Sequence, residues 1–212
     1  MSDRLLNNDV CGVILSGGKS SRMGTNKALL KIDDQTIIER VFYLMKDVFD
    51  EVVISTNEPE LYGFIDTEKV VDKFPGFGPL AGIHSALSTA QAKKIFITTC
   101  DLPFINSSLI KFLLNVKTEE MIVVPKAEDR IQFLCGIYDR KILPLLENIL
   151  LNVLEAKNKN QEVKNSALSL WNFAERVGVE IVDVEEKIFY MMDLFFNINS
   201  PEDYEYVKER LI

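Results

Sequence analysis

The sequence predicts an α/β fold, a single three-layer α/β/α domain with a mostly parallel sheet. Short β-prone apolar segments alternate with segments whose apolar residues recur at helical spacing, which is typical of βαβ units. With 212 residues, of which 47% are hydrophobic and 26% charged, the chain has a globular composition and enough length for one sizeable core. We therefore expect helices on both faces of the sheet.

The first half of the chain supplies four predicted strands and three predicted helices. The strands cover residues 11–15, 51–55, 69–72 and 94–100. One helix follows Thr36, which has the spacing of a capping box with Glu39. The others cover 80–90, with Pro79 near the first turn, and the residues after Asn106, a good N-cap.

The second half continues the same alternation. Strands are predicted at 121–125, 133–138 and 179–184, and helices at 140–156, 167–176 and from Pro201, capped by Ser200. The polar stretch 157–161 is typical of an exposed loop rather than of a domain boundary. We therefore predict one domain over residues 10–212, preceded by an N-terminal extension, residues 1–9.

Charge and composition exclude several classes of function. The formal net charge of −8 argues against general affinity for nucleic acid or an anionic membrane. No apolar run is long enough to span a bilayer, the amino terminus lacks a secretory signal, and the three cysteines are dispersed, so we expect a cytoplasmic protein. Residues 10–32 nevertheless contain four basic residues and no acidic one, as a local site for a small polyanion requires.

Polar or glycine residues follow four of the predicted strands directly. They are Ser16-Gly17-Gly18, Ser55-Thr56-Asn57, Asp72 and Asp101. In open parallel sheets, ligands bind beyond the carboxyl ends of the strands. We therefore expect these four groups to converge on one site.

The loop from Leu15 to Lys27 combines glycines with the cations Lys19, Arg22 and Lys27. Glycines let backbone N–H groups approach an anion, so the loop has the chemical content of a phosphate cradle. It matches neither the Walker A pattern, which would need glycine where Val13 stands, nor G-x-G-x-x-G. The alternative is a surface turn that happens to be basic.

Four segments resemble motifs of the MobA-like nucleotidyltransferases in the expected order. They are residues 15–27 (LSGGKSSRMGTNK), 78–83 (GPLAGI), 100–104 (CDLPF) and 197–203 (NINSPED). The resemblance extends from Gly12 to about Tyr204 and implies the nucleotide-diphospho-sugar transferase fold, which is Rossmann-like. Two departures are Asn26, where the family has aspartate, and Phe133, where it has proline.

The resemblance implies a GTP-dependent reaction in which GMP is joined to molybdenum-loaded molybdopterin and pyrophosphate is released. The implied partners are GTP and molybdopterin, with a molybdenum-insertion protein and apo-molybdoenzymes or their chaperones as further candidates. One alternative is transfer of CMP or another nucleotide to the same or another phosphorylated acceptor. Another is a non-catalytic nucleotide-binding protein that delivers the cofactor.

The resemblance also implies roles for residues of the first loop. Those implied to bind the nucleotide are Leu15, Ser16, Gly17, Gly18 and Lys27. Leu15 would lie beside the base, while Arg22 and Lys27 would neutralise the triphosphate as catalytic residues. Asp101 would bind Mg²⁺, which prefers carboxylate, water and phosphate oxygens. Its alternative role is to cap the turn before Pro103.

The remaining implied site residues concern the base and the acceptor. Asp72 aligns with a nucleotide-contacting aspartate, and the related contact from the second strand is Ser55 or Asn57. Asn197 and Asn199 are candidates for binding the pterin acceptor or a metal-linked water, because alternate residues of a strand point to one face. Their alternative is a turn before the last helix. The single histidine, His84, is expected to be structural, because it has no partners for a zinc site.

Overall fold

The structure of the protein is a computed structural model that describes residues 9–17 and 26–211. Ten strands occur in these residues: β1 (Val10–Leu15), β2 (Lys31–Ile32), β3 (Gln35–Thr36), β4 (Val52–Ser55), β5 (Glu68–Val70), β6 (Lys94–Thr99), β7 (Ile122–Ala127), β8 (Arg130–Ile131), β9 (Gly136–Asp139) and β10 (Val179–Asp183). The seven strands predicted from the sequence are all among them. The predicted boundary between residues 9 and 10 stays a prediction, because residues 1–8 lie outside the described part.

Six α-helices occur in the same residues: α1 (Ile37–Lys46), α2 (Pro79–Thr89), α3 (Ser107–Leu114), α4 (Leu143–Asn158), α5 (Leu170–Val177) and α6 (Pro201–Leu211). Short 3₁₀ helices lie at Lys27–Leu29, Pro59–Tyr62, Arg140–Ile142 and Asn165–Leu168. No helix in the described residues is both long and apolar enough to cross a membrane.

The main sheet has the strand order β10-β7-β9-β6-β1-β4-β5, and β8 pairs with β7 at one end. Strands β6, β1, β4 and β5 are parallel, as are β7 and β10, whereas β9 is antiparallel to both of its neighbours. Strands β2 and β3 form a separate antiparallel pair. The prediction of a mostly parallel sheet is therefore confirmed, with β9 inserted against the prevailing direction.

Helices cover both faces of the sheet, which confirms the three-layer α/β/α prediction. On one face, Met45 of α1 and Leu109 of α3 pack with buried residues of β1, β4 and β6. On the other, Leu80 of α2, Leu146 of α4 and Phe173 of α5 belong to one buried cluster with the opposite side of the same strands. Burial of apolar side chains on both faces explains why the central strands read as continuous apolar runs.

Two helix starts form as their sequences predict. Thr36 accepts a hydrogen bond from the backbone N–H of Glu39, and the Glu39 carboxylate accepts one from the backbone of Thr36, which completes the capping box of α1. At α6, the Ser200 hydroxyl accepts from the Asp203 N–H at 3.2 Å, and Asp203 Oδ2 accepts from the Ser200 N–H at 2.9 Å. These local patterns fix where each helix begins.

The strand predicted over 133–138 begins only at Gly136. A side-chain carbon at this glycine would lie 2.5 Å from the carbonyl oxygen of Val123 on β7. Such a contact is closer than van der Waals packing allows, so the absence of a side chain is what permits β9 to approach β7. Gly136 also pairs with Ile97 of β6, in the antiparallel ladder on its other side.

Candidate functional site

The carboxyl ends of four parallel strands are aligned in one row. Leu15, the last residue of β1, pairs with Ser55 of β4 and with Thr99 of β6, and Ser55 pairs in turn with Val70 of β5. The residues two positions beyond this row are Gly17, Asn57, Asp72 and Asp101. The strand register therefore brings these four sequence positions to one edge of the sheet.

A cleft of about 370 Å³ lies at this edge. Its lining includes all four of these residues together with Leu15, Lys27, Ser55 and Gly82. A volume of this size is in the range of small-molecule sites. The side chain of Ser16 is directed elsewhere, since it is buried and makes hydrogen bonds to Tyr62 and Cys100.

Lys27 and Asp101 form an ion pair at one end of the cleft. The Lys27 ammonium donates to Asp101 Oδ2, and it also donates to the carbonyl oxygen of Ile198 at 3.2 Å. Only 23% of the lysine side chain and 15% of the aspartate side chain are exposed. Partial burial strengthens the attraction between the two charges, so the pair holds Lys27 against the end of β6.

The second oxygen of the Asp101 carboxylate suits a cation. Asp101 Oδ1 is buried and has no hydrogen-bond partner in the described residues. In residues 9–17 and 26–211, no three His, Cys, Asp or Glu side chains come together as a ready-made metal centre. A single carboxylate is what Mg²⁺ needs from a protein when phosphate oxygens and waters complete its coordination. The donor set therefore fits a nucleotide-bound magnesium better than a protein-enclosed metal.

Asn57 and Asp72 form a second hydrogen-bonded pair in the cleft, just after the ends of β4 and β5. Asn57 Nδ2 donates to Asp72 Oδ2 at 2.7 Å, and the Asp72 N–H donates to Asn57 Oδ1 at 3.2 Å. Burial raises the pKa of the Asp72 carboxyl above its ordinary value, and the Asn57 amide opposes that rise. The double contact fixes the direction in which the carboxylate points.

Helix α2 lies close to the strand ends at Gly82. A side-chain carbon there would lie 3.1 Å from Ser55 Oγ, 3.2 Å from Leu15 Cδ2 and 3.7 Å from Asp72 Oδ1. The glycine thus leaves open the space between Leu15 and Asp72. The turn before α2 contains Gly76 and Gly78, whose φ values of 80° and 68° favour glycine.

The family of the chain follows from comparison with known proteins. The sequence model described as the MobA-like NTP transferase domain matches residues 12–163. The chain belongs to this family. Membership makes it a nucleotidyltransferase, and the four strand-end residues of the cleft all lie inside the matched range.

Relatives in the MobA-like family match the chain over nearly its whole length. A Clostridium perfringens (strain 13) protein named probable molybdenum cofactor guanylyltransferase is 36% identical over 193 residues, which are 91% of this chain and 92% of the relative. A Carboxydothermus hydrogenoformans protein of the same name is 35% identical over 194 residues, 91% of each chain.

The fold also matches a solved structure. A crystal structure from Archaeoglobus fulgidus, described as molybdopterin-guanine dinucleotide biosynthesis protein A, has a TM-score of 0.75 and 22% identity to this chain. The match covers 94% of this chain and 97% of the other. At this identity the likeness supports the fold, which is the nucleotide-diphospho-sugar transferase fold expected from the sequence.

Two of the residues implied by the family loop, Gly18 and Arg22, lie outside the described residues. Ser55 and Asn57 both line the cleft, so the choice between them as the nucleotide contact stays open. His84 is buried and packs edge-on against the Phe74 ring at 5.0 Å between centroids.

Burial raises the pKa of the Cys100 thiol to about 11, so the thiol stays protonated at neutral pH.

Asn197 and Asn199 lie on no strand, so the alternative, a turn before the last helix, describes the segment better than strand alternation does. The segment is irregular, yet the two residues still face the same way. Both line a second pocket, of about 290 Å³, together with Arg130 and Gln132. Ile198 between them is fully buried, and its carbonyl accepts from Lys27. Burial of Ile198 therefore fixes the outward direction of its two neighbours.

Sequence reasoning missed Tyr62 and Ile198 as residues that contact the site. Tyr62 bonds to Ser16 and Asn26, and Ile198 bonds to Lys27. The only local signal was the position of Ile198 between two asparagines that the family motif includes. Tyr62 stands in an ordinary turn sequence and has no such signal.

The opposing effects on the pKa of Asp72 give a prediction for Asn57→Ala. Removal of the amide donor leaves burial unopposed, so the pKa of Asp72 should rise further above its ordinary value than in the unmodified protein. Side-chain carboxyl chemical shifts followed by NMR during an acid titration measure both values. Asn115→Ala, which removes an exposed amide at the end of α3, is the control. An unchanged or lower pKa in Asn57→Ala would contradict the assigned role of the hydrogen bond.

Proposed function

We propose that the protein is a molybdenum cofactor guanylyltransferase, which transfers GMP from GTP to molybdenum-loaded molybdopterin and releases pyrophosphate. The observation that carries this proposal is the single cleft in which the Lys27–Asp101 pair and the Asn57–Asp72 pair stand at different strand ends. Relatives that bear this name match about nine-tenths of the chain.

The nucleotide lies along the strand ends in this proposal. Leu15, Ser16 and Gly17 meet it through their backbone, with Leu15 beside the base, and Gly18 belongs to the same loop. Exposed backbone at Gly17 supports a close approach, because among the described residues no atom beyond its chain neighbours lies within 4 Å of the position a side chain would occupy. Lys27 and Arg22 neutralise the triphosphate.

Base recognition falls to the far end of the cleft. Guanine presents N1–H and N2–H₂ donors, so its pocket needs acceptors. Asp72 supplies a carboxylate whose Oδ2 is held by Asn57, while Oδ1 lies toward the open space at Gly82. Ser55 lines the same space. This arrangement favours a base with two adjacent donors over cytosine, which has one amino donor and a ring acceptor.

The chemistry needs positioning and charge stabilisation, and no covalent enzyme intermediate. A terminal phosphate oxygen of molybdopterin forms a bond to the α-phosphorus of GTP. The bond from that phosphorus to the bridging oxygen breaks, and pyrophosphate leaves with the electron pair. Lys27 and Arg22 stabilise the charge that develops on the phosphate oxygens.

Asp101 is the proposed ligand of Mg²⁺, because its Oδ1 is buried and without a partner in the described part of the chain. Bound magnesium would neutralise negative charge on the phosphates. The role of Asp101 is to hold a carboxylate rigidly at the end of β6, two residues beyond the strand pairing of Thr99.

The acceptor is proposed to bind in the second pocket, where Asn197 and Asn199 lie. The segment 132–134 contributes to both pockets, because Gln132 lines the second and Leu134 lines the nucleotide cleft. The carbonyl of Ile198 contacts Lys27 from the same side. An acceptor held there would therefore reach the α-phosphate beside Lys27.

The cellular location and the protein partners are also part of the proposal. Three cysteines with free, buried thiols support a cytoplasmic location. The proposed protein partners are a molybdenum-insertion protein that supplies the acceptor and apo-molybdoenzymes, or their chaperones, that receive the product.

The proposed function is tested by product analysis with each of the four nucleoside triphosphates, molybdenum-loaded molybdopterin and Mg²⁺. We expect a guanylylated pterin and stoichiometric pyrophosphate with GTP. Omission of the acceptor is the control for simple hydrolysis. A cytidylylated product would show that CTP, not GTP, is the nucleotide donor. Binding of GTP without any product would indicate a delivery protein instead.

Asp101→Asn and Lys27→Ala test the charge pair. Each change should lower kcat by at least about 10²-fold, because a preorganised charge at developing phosphate charge contributes this much. We expect Lys27→Ala to affect kcat more than GTP affinity. The rate of pyrophosphate release and the Kd of GTP are measured for each variant, with the exposed Asp66→Asn as the control. Unchanged pyrophosphate release in Asp101→Asn would overturn the metal role.

Asn197→Ala and Asn199→Ala test the acceptor pocket. Loss of one amide contact should raise the KM for molybdopterin by roughly tenfold at most, with little change in the KM for GTP. Initial rates at varied concentrations of each substrate separate the two constants. Asn152→Ala removes an amide on the exposed side of α4 and serves as the control. A rise confined to the KM for GTP would place these residues in the nucleotide site.

A further inference from the structure

Tyr62 is a buried tyrosine whose hydroxyl joins two distant segments. It ends the short helix Pro59–Tyr62, and only 1% of the residue is exposed. The Tyr62 and Ser16 hydroxyls share a hydrogen bond of 2.7 Å, and Asn26 Nδ2 donates to the Tyr62 oxygen at 3.0 Å. The ring itself packs in the core beside α1 and β1.

The orientation of the Asn26 amide is fixed independently of Tyr62. Asn26 Oδ1 accepts a hydrogen bond from the Ala28 N–H at 3.1 Å. The side-chain atom of Asn26 that faces Tyr62 is therefore the amide nitrogen, Nδ2. The Tyr62 oxygen therefore accepts from Asn26. Ser16 Oγ in turn contacts Cys100 Sγ at 3.5 Å, beside Asp101. One buried network thus runs from Asn26 through Tyr62 and Ser16 to the end of β6.

The two partners of Tyr62 stand at opposite ends of the phosphate loop. Ser16 directly precedes Gly17, and Asn26 directly precedes Lys27, and both Gly17 and Lys27 line the cleft. A group that bonds to Ser16 and Asn26 at once fixes the distance between the loop ends. The burial of Tyr62 makes this constraint rigid, because a buried polar group that loses its partner is costly.

We infer that the Tyr62 hydroxyl is a positioning group for the nucleotide triphosphate: it ties the two ends of the phosphate loop together and so places Lys27. The inference rests on the proposed function, since it assigns the loop to GTP. Asn26 stands where the family pattern has aspartate, and its amide nitrogen donates to Tyr62 without adding a negative charge next to the triphosphate.

Tyr62→Phe tests the inference, because it keeps the ring in the core and removes only the hydroxyl. We expect the Kd of GTP to rise at least about fivefold, while the Kd of guanosine, which lacks phosphates, changes less than twofold. Isothermal titration calorimetry measures both constants. Tyr206→Phe is the matched control, because it removes a hydroxyl that bonds to Asp193 at 2.9 Å, away from the cleft.

A purely structural role would lower the melting temperature of Tyr62→Phe and leave the ratio of the two Kd values unchanged. That ratio is therefore the decisive readout. An unchanged ratio in Tyr62→Phe, with the unmodified protein binding GTP, would overturn the inference and leave the proposed function standing. Failure of the unmodified protein to bind GTP would instead remove the proposed function.

A double-mutant cycle with Asn26→Ala tests whether the two residues act through one bond. The combined variant should raise the Kd of GTP by less than the product of the two single fold-changes, because the second change removes a bond already lost. Asn26→Ala also removes the acceptor for Ala28, and the cycle subtracts that separate effect. Fully multiplicative changes would contradict a shared bond between Tyr62 and Asn26.

Discussion

The parallel ladder in which β1 lies between β4 and β6 is the constraint on which the cleft depends. Because Leu15 pairs with both Ser55 and Thr99, the strands end in one row, and the loop residues two positions further on stand side by side. A slip of one residue in the pairing of any strand would turn its side chains to the other face of the sheet, and the strand ends would no longer be aligned. Burial on both faces excludes such a slip, because apolar core residues would then exchange layers.

The strand order also separates the two polar pairs of the cleft. Asp101 follows β6 and Asp72 follows β5, with β1 and β4 between them. Three inter-strand steps correspond to about 14 Å along the sheet edge. One end therefore holds the ion pair of Lys27, and the other holds the carboxylate fixed by Asn57. Under the proposed function, topology therefore keeps charge stabilisation and base recognition apart.

Much of this arrangement could be predicted from local sequence. The capping box at Thr36 and the polar residues after four of the strands depend on neighbours a few positions away, and the structure contains both. Of the predicted glycine loop after β1, Gly17 and Lys27 line the cleft, and residues 18–25 lie outside the described part. We could predict that the residues after the strands converge, because ligands bind beyond the carboxyl ends of the strands in open parallel sheets. Applying this rule requires only the direction of each strand.

Other features could not be predicted, because they depend on contacts between residues far apart in sequence. The antiparallel direction of β9 goes with its pairing to β6 and β7, and nothing within the segment encodes which strands become its neighbours. Contact of Lys27 with Ile198 joins residues 171 positions apart. For Asn197 and Asn199, alternation was expected from a strand, but burial of Ile198 produces the same orientation without one.

The Lys27–Asp101 pair has a consequence for which ligand the cleft accepts. Each charge satisfies the other in the structure, so a ligand must replace both interactions to be held strongly. An anion alone would attract Lys27 but would leave the partly buried Asp101 carboxylate next to another negative charge. This repulsion is costly, because the local dielectric constant is low at a partly buried site. A nucleotide that carries its own divalent cation supplies an anion for Lys27 and a cation for Asp101 together. Under the proposed function, the pair therefore favours the metal-bound nucleotide over the free one.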